Sequence, residues 1–141
     1  MNAKTYLSQA MWLDIMINQK LEEQERLKAM AEKVTSNFAE VKVTGGERQN
    51  TREESNVKLI DLRHETNEIT DRYIDLRNEI METINQLEEM NYRLILEMRY
   101  ISKKGWDEIA ATMGYDVRWI MELHGRALKK VDKILRLQKT S

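Results

Sequence analysis

The sequence predicts an all-α protein: a long antiparallel helical hairpin of coiled-coil-like character over residues 1–90, followed by a C-terminal helix-turn-helix module over residues 91–141. Three observations predict it. The 141-residue chain has no proline and only 5 glycines, so little interrupts a helix once begun. Two long segments repeat apolar residues at alternating steps of three and four, the seam spacing of packed helices. Residues 106–125 then place a small residue, a glycine and a β-branched residue where two helices meeting at a tight turn need them.

Composition narrows the chemistry. With no cysteine, disulfide scaffolds, thiol catalysis and zinc ribbons are excluded. No apolar run approaches the roughly 18 residues of a membrane span. Residues Met1–Ala10 lack the basic and apolar pattern of a signal peptide. A cytoplasmic protein away from the membrane is expected. Charged residues make up 33% and hydrophobic residues 41%, the balance of long helices with narrow apolar seams. The net charge of −1 conceals an asymmetry: residues 1–55 carry −1, residues 56–90 carry −5 and residues 91–141 carry +5. A basic terminal block is the footprint of a nucleic-acid binder or a solvated helix face.

The first helix is predicted over about Asn2 to Asn37, roughly 50 Å at 1.5 Å per residue. Its seam runs Tyr6, Ala10, Leu13, Ile17, then polar Lys20 and Gln24, then Leu27, Ala31, Val34 and Phe38, with Leu21 and Met30 widening it. Residues 38–50 lose the helical pattern and contain Thr44-Gly45-Gly46, which predicts a loop with a short extended piece around Val41 and Val43. Thr51 and Glu54 fit a capping box that opens the second helix. Its seam is Leu59, Leu62, Thr66, Ile69, Tyr73, Leu76, Ile80, Ile84 and Leu87. Two helices bury little apolar area, so a dimer or higher homo-oligomer is expected. The polar seam positions Lys20, Gln24 and Thr66 either set register or lie at the seam's edge. Asn91 is a candidate N-cap for a third helix whose apolar residues, Tyr92 to Ile101, crowd more than one side. Lys103-Lys104-Gly105 ends it, and Asp116 is the candidate N-cap of the last helix.

Trp106 to Gly125 carry the central motif. Ala110 is the small residue at the helix crossing, Gly114 supplies the positive φ of the turn, and Ile120 is the β-branched wedge. Ile109, Met113, Tyr115 and Leu123 fill the apolar positions. At 100° per residue, Ile120, His124, Ala127 and Val131 fall within about 60° and face the core. The opposite face holds Arg118, Glu122, Gly125 and Lys129, with Arg126 at its edge. On duplex DNA, Arg118 would reach a guanine edge or a phosphate, and Gly125 would allow close backbone approach. Glu122 would accept from cytosine or repel the duplex. Arg126, Lys129, Lys130, Lys103 and Lys104 suit phosphates. Trp119 projects about 100° from the core direction and is expected to pack on one of the long helices.

Other chemistry finds no support. His64 and His124 are far apart in sequence and no cysteine accompanies them, so no metal site is expected. Carboxylates such as Glu79 and Glu82 fall on helix exteriors near Arg77, and Gly45-Gly46 lacks the Lys-Ser/Thr of a phosphate loop. The protein is expected to be no enzyme and to need no cofactor.

The stretch LILEMRYISKKGWDEIAATMGYDVRWIMELHGRALKKV, beginning at Leu94, resembles region 4 of sigma-70-type factors. The matching residues are Leu96-Glu97-Met98-Arg99-Tyr100, Trp106-Asp107-Glu108-Ile109-Ala110, Met113-Gly114 and Arg126-Ala127-Leu128-Lys129-Lys130. The whole chain is similar to small phage-encoded proteins with a long helical N-terminal part and such a C-terminal module. The resemblance implies a phage or prophage transcriptional regulator acting in a bacterial host cell. It implies binding of double-stranded DNA through the helix-turn-helix, with RNA polymerase as a further possible partner. Where sigma factors often carry Lys or Arg, this chain has Met121, Glu122 and Leu123. Two other readings stay open: a structural or packaging adaptor, and a module that docks RNA polymerase without binding DNA.

Overall fold

A computed structural model describes residues 1–40 and 46–139, with side chains over residues 1–33 and 52–139. Every regular element among the described residues is helical. They are α1 (Ala3–Glu40), α2 (Gly46–Asn85), α3 (Met90–Leu96), a π-helical turn (Glu97–Ile101), α4 (Trp106–Met113) and α5 (Val117–Lys139). No described helix is long and apolar enough to cross a membrane.

The helix boundaries differ in places from those the sequence predicts. Asn2 starts α1, its Oδ1 accepting from Thr5 N–H at 2.8 Å. Helix α1 extends past Asn37, and α2 already begins at Gly46, so Thr51 lies inside α2 rather than opening it. The extended piece expected around Val41 and Val43 lies outside the described residues. Helix α2 stops at Asn85, and Arg93 Nε donates back to the Leu87 carbonyl just beyond its C-terminal end. Asn91 falls within α3, whose N-cap is Glu89 with no side-chain cap.

The chain forms two compact units, and both long helices contribute to each. One unit is Asp14–Arg72. There the seam positions Leu59, Thr66 and Ile69 of α2 are buried, and Ile17, Leu27 and Ala31 of α1 are half-buried. Leu21 and Met30 are exposed, so they do not widen the seam. The polar seam residues find partners: Gln24 Nε2 donates to Thr66 Oγ1 at 2.9 Å, and Lys20 Nζ meets Glu65 at 2.8 Å. Thr66 Oγ1 also donates to the Leu62 carbonyl at 2.7 Å, so the buried hydroxyl both donates and accepts. These pairs favour one register of α1 against α2, since a slip would take the Gln24 donor away from Thr66.

The other unit joins Met1–Leu13 to Tyr73–Ser141. Ala3, Tyr6, Leu7 and Ala10 of α1 pack with Ile80, Ile84, Leu87, Leu96, Tyr100, Ala127 and Val131 in one core. A second core gathers Ile95, Met98, Ile109, Ala110, Ile120 and Leu123. Helix α3 and the π turn supply both cores, which explains why their apolar residues crowd more than one side. Ser102 N–H reaches back to the Glu97 carbonyl at 3.0 Å, the i to i−5 spacing of a π turn. Asp132 Oδ1 accepts from the Ala3 N–H at 2.7 Å, so α5 satisfies a donor in the first turn of α1.

Candidate nucleic-acid interface

The segment from α4 to α5 is shaped by local chemistry. Gly114 ends α4 in the left-handed region, at φ 73° and ψ 29°, and Tyr115 N–H bonds the Ala110 carbonyl at 3.1 Å. Nothing would crowd a Cβ at Gly114, so its conformation and not space favours glycine there. Asp116 caps α5: its Oδ1 accepts from Trp119 N–H at 2.7 Å. Ile109, Ala110, Ile120 and Leu123 are buried together, and Met113 packs against them. Tyr115 departs from the expected pattern. It is 39% exposed and belongs to neither core.

Behind this segment lies an aromatic and basic cluster that the sequence does not reveal. His124 is buried, its Nε2 shares a 2.8 Å hydrogen bond with Tyr100 Oη, and the Trp106 ring meets it edge-on at 4.6 Å. Burial, aided by the Lys4 and Arg99 charges, lowers the His124 pKa to about 4, so the imidazole is neutral at physiological pH. Burial likewise pushes the Tyr100 phenol up. The Arg99 guanidinium stacks over Trp106 at 4.5 Å, and its Nη1 donates to the Lys104 carbonyl at 3.2 Å. Lys104 N–H bonds the Met98 carbonyl at 2.9 Å. Beside these ties Lys103 adopts φ 58°, a conformation that disfavours a residue bearing Cβ. Arg99 therefore shapes the loop that carries both lysines.

The core face of α5 is as the spacing predicts: Ile120, His124, Ala127 and Val131 are all buried. Arg118, Glu122, Arg126, Lys129 and Lys130 are exposed. Gly125 is half-buried, with open space where a Cβ would stand. Exposed Lys133 and Arg136 belong to the same basic helix towards its C-terminus: Lys133 is exposed and Arg136 likewise. Lys103 is exposed and Lys104 half-buried on the loop before α4, not on α5. Trp119 joins neither core. It is 39% exposed, and the Arg126 guanidinium lies 5.2 Å from its ring. Arg126 also pairs with Glu122 at 3.3 Å, one turn earlier on the helix. Asp116, Arg118, Trp119 and Glu122 line a shallow depression at the start of α5. Chemically, this face offers guanidinium and ammonium donors to an extended anion, with one carboxylate among them. Among the described residues, no group of three or more His, Asp and Glu side chains is placed to hold a metal ion.

No curated protein and no solved structure matches the chain. One family model, described as a protein of unknown function (DUF1492), matches residues 33–132, more than half of the chain and most of the α4–α5 segment. The chain is therefore a member of the DUF1492 family.

Proposed function

We propose that this protein is a DNA-binding transcriptional regulator of phage or prophage origin, whose α4 and α5 form a helix-turn-helix with α5 as the recognition helix. The observation that carries this reading is the combination at α4–α5. A left-handed Gly114 turn and buried Ala110 and Ile120 lie on one side, and an exposed basic face lies on the other. A packing hairpin needs the first of these features but not the second. The phage origin and the bacterial cytoplasm rest on the sigma-70 region 4-like motifs. The first turns of α1 pack against the last turns of α2, which supports an antiparallel hairpin. That hairpin serves to oligomerise the chain or to hold RNA polymerase. Trp12, 62% exposed, with exposed Ile15 and Met16, supports a homo-oligomer.

Selection from a random duplex pool, followed by gel shifts at several salt concentrations, tests the reading. An enriched sequence is the expected result. Binding without sequence preference would favour an architectural or packaging role, and no binding would favour a protein partner. The second reading, a module that docks RNA polymerase without touching DNA, draws on exposed Val117 and Met121 on α5. Direct capture of polymerase without a DNA shift supports it.

A further inference from the structure

Three carboxylates sit on or beside α5, and two of them have a task within the fold. Asp116 caps the helix, and Asp132 holds the Ala3 N–H of α1. Glu122 does neither. It pairs with Arg126 on its own helix, an exposed i,i+4 contact at 3.3 Å with side chains 57% and 51% exposed. Such a pair stabilises a helix only weakly. Its effect on a polyanion is larger. Glu122 lies in the middle of the outward face, flanked along the helix by Arg118 and Arg126. It cancels one positive charge where a phosphate backbone would approach. The Trp119 ring holds the same guanidinium at 5.2 Å. Arg126 is thus engaged before any ligand arrives.

We infer that Glu122 is a specificity-determining residue acting through Arg126. It withholds the guanidinium from phosphates of arbitrary sequence and releases it where the neighbouring contacts of a preferred site offset the repulsion. The weak intrahelical pair makes this exchange easy, because a phosphate oxygen replaces a carboxylate oxygen on the same donor. Discrimination between duplexes then comes partly from a carboxylate that penalises the wrong one, a role that rests on the DNA-binding reading above.

The test uses the full chain and its Glu122→Gln variant. Gln has nearly the same size and helix propensity as Glu, so the fold is kept. Affinity is measured for the duplex enriched by selection and for a scrambled duplex, between about 50 and 200 mM salt. Glu122→Gln is expected to tighten binding to the scrambled duplex about tenfold, to steepen its salt slope by about 1, and to narrow the gap between the two duplexes. Made in an Arg126→Gln background, Glu122→Gln is expected to give no gain over Arg126→Gln alone, because the gain runs through Arg126. An unchanged salt slope in Glu122→Gln, or a gain that survives in the Arg126→Gln background, overturns the inference and leaves DNA binding standing. Equal binding of both duplexes by the wild type also overturns it, since there is then no discrimination to set. Absence of binding by wild type and variant alike overturns the DNA-binding reading itself.

Discussion

Neutral His124 sits between Tyr100 and Trp106, and the nearby Lys4 and Arg99 charges add to burial in opposing its protonation. Its pKa is lowered from 6.5 to about 4. An unfolded chain takes up this proton near pH 6.5, and the folded chain only near pH 4. Stability present above pH 6.5 is therefore lost as pH falls through that window, by about 3 kcal/mol in all. Denaturant melts from pH 7 to 4 check this, and His124→Gln is expected to flatten the profile. The glycines make a contrasting pair. Both Gly114 and Gly125 have open space for a Cβ, but only Gly114 has positive φ. Gly114→Ala is expected to destabilise by about 1 kcal/mol, and Gly125→Ala, mid-helix, to stabilise by about 0.5–1 kcal/mol. Thermal melts of the two variants should move in opposite directions. Gly114 and Asp116 are legible in the sequence because a turn and a cap are set by neighbouring residues. The His124 cluster is not, because it joins Tyr100, Trp106 and Arg99 through packing that no spacing rule encodes. For the same reason the phase of Trp119 suggests a contact with the long helices, whereas Arg126 on its own helix lies against it.

At the scale of elements, the long helices follow from the missing proline and the seams of threes and fours. Their ends are harder to read. Gly46 starts α2 although glycine is a poor helix former, because one weak residue costs little against a long seam. The π turn at Glu97–Ile101 also escapes the pattern. Along it Met98 enters one core and Tyr100 the other. The tie between α1 and α5 spans 129 residues and is not foreshadowed by either helix. Asp132→Ala is expected to destabilise by about 1 kcal/mol, as loss of a helix cap does. Asp132→Asn keeps the acceptor and should retain most of that stability, losing only the charge at the helix start. Chemical denaturation of the two variants separates these contributions.

For the whole molecule, the charge division carries most of the functional meaning. The +5 terminal block includes a helix whose basic residues face outward and whose core face is filled by Ile120, His124, Ala127 and Val131. That outward face, Arg118, Arg126 and Lys129 above all, is where the duplex is expected to lie. The candidate residues on α5 are legible because a helix of known phase fixes its faces. The role of Arg99 is not, because it acts on the Lys104 carbonyl and the Trp106 ring rather than on a ligand.

Duplex affinity measured against salt, for the wild type and for the Arg118→Ala/Arg126→Ala/Lys129→Ala variant, tests the interface most directly. The wild type should give a log–log slope of about −4 or steeper, and the variant a slope shallower by about 2 to 3 with weaker binding throughout. Equal slopes and affinities for the two proteins would contradict the interface assigned to α5.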